Sequence, residues 1–209
     1  MFVERLQSVA TTQSGAAERR RVIDRTAQFG IVVRRDTAIV TADSIAVVET
    51  ADGMSRRVNV DAVIGGRWAL KIDSTGRPAA VDWPFVPQDI ADVDDVGTAM
   101  DDFFPLPPPV SPVGRSVTVA GVKWLRLSDS AGHSRFRWSA NRDVSTTTVG
   151  DSVPVRSTGK AIEDGELVWD PGRGPLGWKR HIETDMTSRF AGRTVHALVD
   201  QRSTVRRLP

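Results

Sequence analysis

The sequence predicts a mainly β protein (α+β), in which an antiparallel β-meander sheet is covered by one α-helix near residues 88–104. Three observations predict this fold class. Most segments alternate apolar and polar residues with a period of two, as half-buried strands do. Turn-forming residues separate these segments at short intervals. Only residues 88–104 show a helical period, and runs of strands beside a segregated helix favour this class over a parallel α/β sheet.

A twelve-residue module occurs twice in the chain, at 65–76 and at 121–132. Both copies read Gly-x-basic-Trp, then four residues, then Asp-Ser-x-Gly. The Trp begins a predicted strand, and the Asp-Ser-x-Gly segment ends it in a tight turn, because Asp and Ser bond the local backbone and Gly accepts a positive φ. The second copy therefore predicts a hairpin between the strand of Trp124 and residues 135–138. A distant duplication and convergent turn chemistry both explain the repeat.

The clearest strand is predicted at 178–190. Its even-numbered residues, from Trp178 to Phe190, share one face, and its odd-numbered residues form a face that is polar at every position and should be wet. Earlier in the chain, a strand predicted at 149–156 is followed by Ser157-Thr158-Gly159, where a break is expected. Further strands are predicted at 2–9, 19–33, 38–41, 45–49, 57–60, 68–73, 79–82, 149–156, 166–169 and 195–205.

The helix is predicted from apolar residues at helical spacing, namely Ile90, Val93, Met100 and Phe104. Pro105 should stop it, and the prolines that follow should be extended. The sequence thus predicts a single domain over 1–209. Its two β-meander halves, 1–86 and 113–209, are joined by the helix and a Pro-rich segment, 87–112.

Composition excludes several classes of protein. The chain has no Cys, which removes disulfides, thiolate catalysis and Cys-based zinc sites. Arg outnumbers Lys by 24 to 4, but acidic residues leave a net charge of only +2, so no nucleic-acid partner is expected. The sequence has no apolar run of about 18 residues, so it predicts no transmembrane helix. No signal peptide follows Met1, so either the protein is cytoplasmic or this start lies inside a longer precursor.

Residues that could carry chemistry are few. The chain has three histidines, and His181 and His196 fall on neighbouring predicted strands, where they could hold a metal together with Glu183 or Asp200. However, His181 lies on the polar face of its strand, where histidine is ordinary. The sequence also has no Gly-x-Ser-x-Gly elbow for a serine hydrolase. We therefore predict no catalytic residue, no metal, no cofactor and no enzymatic activity.

The tryptophans are the remaining candidates. Most fall in or beside predicted strands, where they are either core anchors or the walls of an apolar ligand cavity. Aromatic residues at the helix exit could close the mouth of such a cavity. The candidate ligand-lining residues are Trp68, Trp83, Trp124, Trp138, Trp178, Met100, Phe103 and Phe104.

The layout of two meanders around one helix resembles the half-barrel of the bacterial lipoprotein-localisation carriers and their mycobacterial lipoprotein relatives. Segments 103–107 and 201–208 also look like parts of uncharacterised secreted proteins from GC-rich Gram-negative bacteria. The resemblance implies a curved sheet around a helical plug, an apolar cavity, and a periplasmic or secreted location, with the cytoplasm as the alternative.

The sequence therefore predicts a non-enzymatic cell-envelope protein that binds a hydrophobic small molecule, a lipid or an acyl chain. The alternative is a structural or protein-interaction module without a cavity, whose partner is another envelope protein. A third hypothesis is a metal-dependent hydrolase that uses His181 and His196.

Overall fold

The computed structural model describes residues 1–74, 78–94, 96, 100, 103–149, 154–190 and 193–209. It confirms the predicted mainly β class. Within these residues, twelve antiparallel strands form one open sheet, accompanied by one short α-helix and a single 3₁₀ turn at Asp61–Val63. The strands are β1 (Phe2–Ser14), β2 (Ala17–Arg34), β3 (Thr37–Ala51), β4 (Met54–Val58), β5 (Arg67–Ile72), β6 (Pro78–Asp82), β7 (Ser116–Val119), β8 (Val122–Ser130), β9 (His133–Val149), β10 (Pro154–Asp170), β11 (Gly174–Phe190) and β12 (Arg193–Arg207).

Two meanders make up the sheet. The strand order is β6-β5-β3-β2-β1-β12-β11-β10-β9-β8-β7, and β4 pairs with the far end of β3. The meanders meet where β1 pairs with β12, in a register that runs from Phe2 opposite Arg207 to Gln13 opposite His196. The sheet is strongly curved, because Pro78 in β6 and Trp124 in β8 line one cavity although eight strands lie between β6 and β8.

Period-two alternation gives the sheet its two faces, as predicted for β11. Trp178 is buried on the inner face, and Lys179, Glu183 and Asp185 are exposed on the outer face. The predicted hairpin after Trp124 is also confirmed, since Trp124 pairs with Trp138 across β8 and β9. Ala131 (φ +52°) and Gly132 (φ +78°) form its turn. The corresponding turn of the first copy lies mostly at 75–77, outside the described residues.

The core lies between the inner face and the segment that joins the meanders. We call residues 83–115 the strap. Phe103 of the strap packs against Phe29 of β2 and Trp178 of β11, with ring centroids 5.2 and 5.3 Å apart. Phe104 packs against Phe2 and Trp178 at 6.3 and 6.1 Å. The strap thus joins the two meanders through apolar contacts.

The helix begins at the predicted residue but is much shorter than predicted. It spans Gln88–Ala91, and the described residues from Asp92 to Phe104 are turns or irregular structure. The prediction of a helix over 88–104 is therefore wrong in extent; residues 95, 97–99, 101 and 102 lie outside the described part. Two features oppose a longer helix here: aspartate is among the weaker helix formers, and Asp94 accepts two hydrogen bonds of 3.0 Å from Arg25 of β2.

The apolar residues that suggested the longer helix are nevertheless buried. Ile90, Val93 and Met100 are buried in the core of the sheet, and Phe104 is partly buried and packs against it. Their spacing therefore reflects burial between the strap and the sheet and not a helix. Burying an apolar side chain is favourable whether the backbone is helical or irregular.

The predicted break at 157–159 is also wrong. β10 runs without interruption from Pro154 to Asp170, with Gly159 and Gly165 in its interior. Both glycines sit where another group comes close: a Cβ at Gly159 would meet the backbone of Asp185, and one at Gly165 would meet the Trp138 ring. Glycine inside a strand here marks close approach rather than a turn.

Candidate functional site

Aromatic side chains gather in a cavity of about 230 Å³ between the strap and strands β8, β9 and β11. Trp124 and Trp138 are cross-strand partners with ring centroids 5.8 Å apart. The other aromatic walls are Trp178, Phe103 and Phe104. We call this space the aromatic cavity. It brings together five of the eight residues that the sequence suggested as ligand-lining.

The other three suggested residues lie elsewhere. Trp68 is fully buried and packs edge-on against Phe29 at 6.1 Å, and Met100 is also enclosed in the core. Trp83 is 48% exposed. Among the described cavities, none is lined by these three residues.

A second cavity, of about 340 Å³, adjoins the first. Phe103, Trp178 and Arg180 line both, so these three side chains form the boundary between them. We call the second space the polar cavity. Its walls combine apolar residues with charged and hydrogen-bonding ones, which are Glu4, Ser8, Arg25, Asp94, Arg180, Gln201 and Ser203.

Arg25 is the centre of a buried ion-pair network at the polar cavity. Its Nε and Nη2 donate to Glu4 at 3.0 and 3.3 Å, and its Nη1 donates to both oxygens of Asp94. Burial alone lowers the pKa of the Arg25 guanidinium, but the two carboxylates outweigh it and raise the pKa above its ordinary value. Arg25 is therefore permanently charged, and it ties the strap to β1 and β2.

Sequence reasoning missed this network although a signal was present. Glu4 stands between Phe2 and Leu6 on the apolar face of its strand, and Arg25 stands between Ile23 and Ala27 in the same way. Charged residues are rarely buried unless they are paired. Opposite charges on the inner faces of neighbouring strands therefore indicate a buried pair.

A second ion pair lies where the two cavities meet. Arg180 contacts Glu163 at 2.8 Å, and Trp138 donates from Nε1 to the same carboxylate at 3.2 Å. Gly165 lies between Arg180 and Trp138 in the cross-strand register, and its missing side chain leaves room for the indole. The glycine and the Glu163 carboxylate together fix the orientation of this cavity wall.

A third charged cluster lies on β3, away from the cavities. Glu49 accepts hydrogen bonds from Arg21 at 2.7 Å and from Arg56 at 2.6 Å. Burial raises the pKa of Glu49, but the bonds from Arg56 and Arg21 outweigh it and hold the pKa below its usual value. Arg21 also donates to the backbone oxygen of Asp92, so this cluster helps to hold the strap.

The histidines do not form the predicted pair. His196 bonds Thr187 at 3.1 Å, in a register six residues along β11 from His181, so the proposed His181–His196 metal pair is wrong. His181 instead has Asp164 at 3.3 Å from Nδ1, with Asp200 and Glu183 at 3.4 and 3.6 Å from Nε2.

His181, Glu183 and Asp200 could each offer one ligand atom to a cation, within 4.8 Å of one another. This cluster lies on the outer face of the sheet, away from both cavities. Arg202 donates to both oxygens of Asp200 at 3.1 Å. A guanidinium therefore already offsets part of the negative charge that a metal would neutralise.

No protein-family model matches the chain, and no curated protein matches it. Among the described residues, no helix has the length and apolar character needed to cross a membrane. The two cavities are therefore the features of the molecule that bear on its function.

Proposed function

We propose that this is a non-enzymatic cell-envelope protein, periplasmic or secreted, that binds a lipid or acyl chain between the strap and a half-barrel-like sheet. The aromatic cavity carries the proposal. Five aromatic side chains from three strands and the strap converge on one space, whereas an ordinary core would fill it. Apolar pockets with a few polar groups are typical of small-molecule sites.

The size of the two adjoining spaces supports a ligand with an extended chain. Volumes of about 230 and 340 Å³ together fall in the range of about 300–1,000 Å³ that is usual for ligand sites. Each buried methylene contributes about 0.8 kcal/mol, which is roughly a fourfold gain in affinity. Affinity should therefore rise steeply with chain length and level off once the aromatic cavity is full.

Native mass spectrometry of the purified protein, followed by solvent extraction, tests the proposal first. A discrete extra mass that extracts as lipid supports it. The delipidated protein is then titrated with a homologous series of alkyl ligands, with tryptophan fluorescence as the readout. An apoprotein mass together with no saturable binding of any member of the series would overturn it.

Two variants connect binding to the cavity. Trp138→Ala and Phe104→Ala each remove one wall and should weaken binding at least tenfold while the protein stays folded. Trp83→Ala is the matched control, because this exposed indole lies outside both cavities. Equal binding by all three variants would place the ligand elsewhere.

A structural or protein-interaction module is the second candidate, and exposed apolar side chains favour it. Val81 in edge strand β6 is 57% exposed, and Phe85 in the strap is 82% exposed. The two residues lie close together in the sequence, and contiguous exposed apolar patches mark interaction surfaces in many proteins. If the alternative is correct, Phe85→Ala should abolish capture of an envelope partner, whereas Trp138→Ala should leave capture intact.

A further inference from the structure

The residues that line the polar cavity indicate which head group the ligand carries, which the apolar walls of the aromatic cavity do not. Its floor consists of cross-strand rows on β1, β12 and β11, all on the inner face. Ser8 pairs with Gln201, and one row further on Leu6 pairs with Ser203, which in turn faces Arg180. The rows are Glu4–Val205–Trp178, Leu6–Ser203–Arg180 and Ser8–Gln201–Ile182.

The charged groups in this space are already paired with one another. Arg25 is shared by the carboxylates of Glu4 and Asp94, and Arg180 pairs with Glu163. Three carboxylates thus surround two guanidinium groups. An anionic ligand would add a further negative charge to this set, in which carboxylates already outnumber guanidinium groups. Displacing one of these carboxylates from its partner would leave it unpaired in the interior, which is strongly unfavourable.

One further guanidinium does not change this balance inside the cavity. Arg142 lines the aromatic cavity, but its side chain is 45% exposed, and it lies 3.9 Å from the same Glu163 carboxylate. Its charge is therefore at the rim, where water screens it.

The uncharged polar residues of the polar cavity, in contrast to the charged ones, have no partner among the described side chains. In the described part of the chain, the side chains of Ser8, Gln201 and Ser203 form no hydrogen bond, although they line the polar cavity. A glutamine amide offers two donors and one acceptor, and each hydroxyl offers both functions. These three side chains can bond an alcohol or an amide without disturbing an ion pair.

We infer that the bound amphiphile has an uncharged, hydrogen-bonding head group, such as a glycerol or amide, which lies in the polar cavity against Ser8, Gln201 and Ser203. Its chain passes Trp178 and Phe103, which line both spaces, and enters the aromatic cavity. This inference rests on the proposed function and adds the chemical class of the ligand.

Three ligands with the same twelve-carbon chain test the inference: monolauroyl glycerol, laurate and dodecyltrimethylammonium. Each is titrated into the delipidated protein below its micellar concentration at pH 8 and 0.15 M salt. We expect monolauroyl glycerol to bind at least tenfold tighter than laurate and tighter than the cation. If laurate or the cation binds as tightly as the glycerol ester, the head-group inference is overturned while the proposed function stands. If none of the three binds, the proposed function fails.

Variants then locate the head group. Gln201→Leu combined with Ser203→Ala keeps the volume and removes two of the three hydrogen-bonding side chains, so the preference for the glycerol ester should fall at least fivefold while laurate affinity is unchanged. Thr204→Ala is the matched control, since it neighbours Ser203 on β12 but is exposed on the outer face. If the double variant does not fold, Ser203→Ala alone gives the same comparison. An undiminished preference in a folded variant contradicts the assignment.

Discussion

Replacing Gly165 by alanine tests whether the wall of the aromatic cavity is set by one missing side chain. Gly165 lies in β10 between Trp138 and Arg180. A Cβ built there would overlap the Cζ2 and Cη2 atoms of Trp138 and lie 2.5 Å from the Lys179 carbonyl oxygen. The indole must move, the strands must separate slightly, or both.

The expected cost follows from these contacts. Overpacking by one methyl group costs about 1–3 kcal/mol. Displacing the Trp138 indole from Glu163 removes a hydrogen bond of 3.2 Å, which is worth about 1 kcal/mol. We therefore expect Gly165→Ala to lower the free energy of unfolding by about 2–4 kcal/mol, measured by urea denaturation with tryptophan fluorescence.

Gly172→Ala is the control, because a Cβ there meets only the Asp170 carboxylate, at 3.5 Å. Its effect should stay within about 0.5 kcal/mol. Trp138→Phe removes the clashing indole atoms, so it should lower the cost of Gly165→Ala by about 0.5–3 kcal/mol in a double-mutant cycle. If Gly165→Ala costs no more than Gly172→Ala, the argument for close packing at this wall is wrong.

Three further predictions concern stability. Arg25→Met should destabilise the fold by about 3–5 kcal/mol in urea, because it leaves two buried carboxylates without their partner. Glu49→Gln should lower the free energy of unfolding by about 1.5–3 kcal/mol at pH 7. Because the pKa of Glu49 is lowered in the folded state, its contribution to stability is present above pH 4.5 and is lost as the pH falls further. Melting curves of wild type and variant should therefore converge in acid. Trp68→Ala should cost about 3–5 kcal/mol, whereas Trp83→Ala, at an exposed position, should melt within a few degrees of wild type.

The period-two pattern predicted the strands well because burial on one face imposes it directly. It failed at Gly159, where local propensity indicated a break but packing across strands required the absence of a side chain. The predicted helix was too long for a related reason. Apolar anchors such as Val93 and Met100 recur at helical spacing, yet Asp94 is a weak helix former and pairs with a distant strand.

The candidate site could be predicted only in part. Trp124, Trp138 and Trp178 were candidates because each falls in or beside a predicted strand, and the structure brings them together around the aromatic cavity. Trp68 is buried and Trp83 is exposed. This difference depends on where the sheet curves and where it ends, which no local sequence pattern encodes. The buried ion pairs depend on the register between strands that are far apart in sequence.

The pairing of β1 with β12 has a consequence for how the chain reaches its native state. Each meander forms through hairpins between neighbouring segments, but the seam between them joins residues about two hundred positions apart, and such contacts must overcome a large loop-closure entropy. We expect the two meanders to form early and the seam late. A substitution that weakens the seam, such as Leu6→Ala, should slow refolding less than it accelerates unfolding. The aromatic and polar cavities are lined by residues of both meanders, so they form only with this last step.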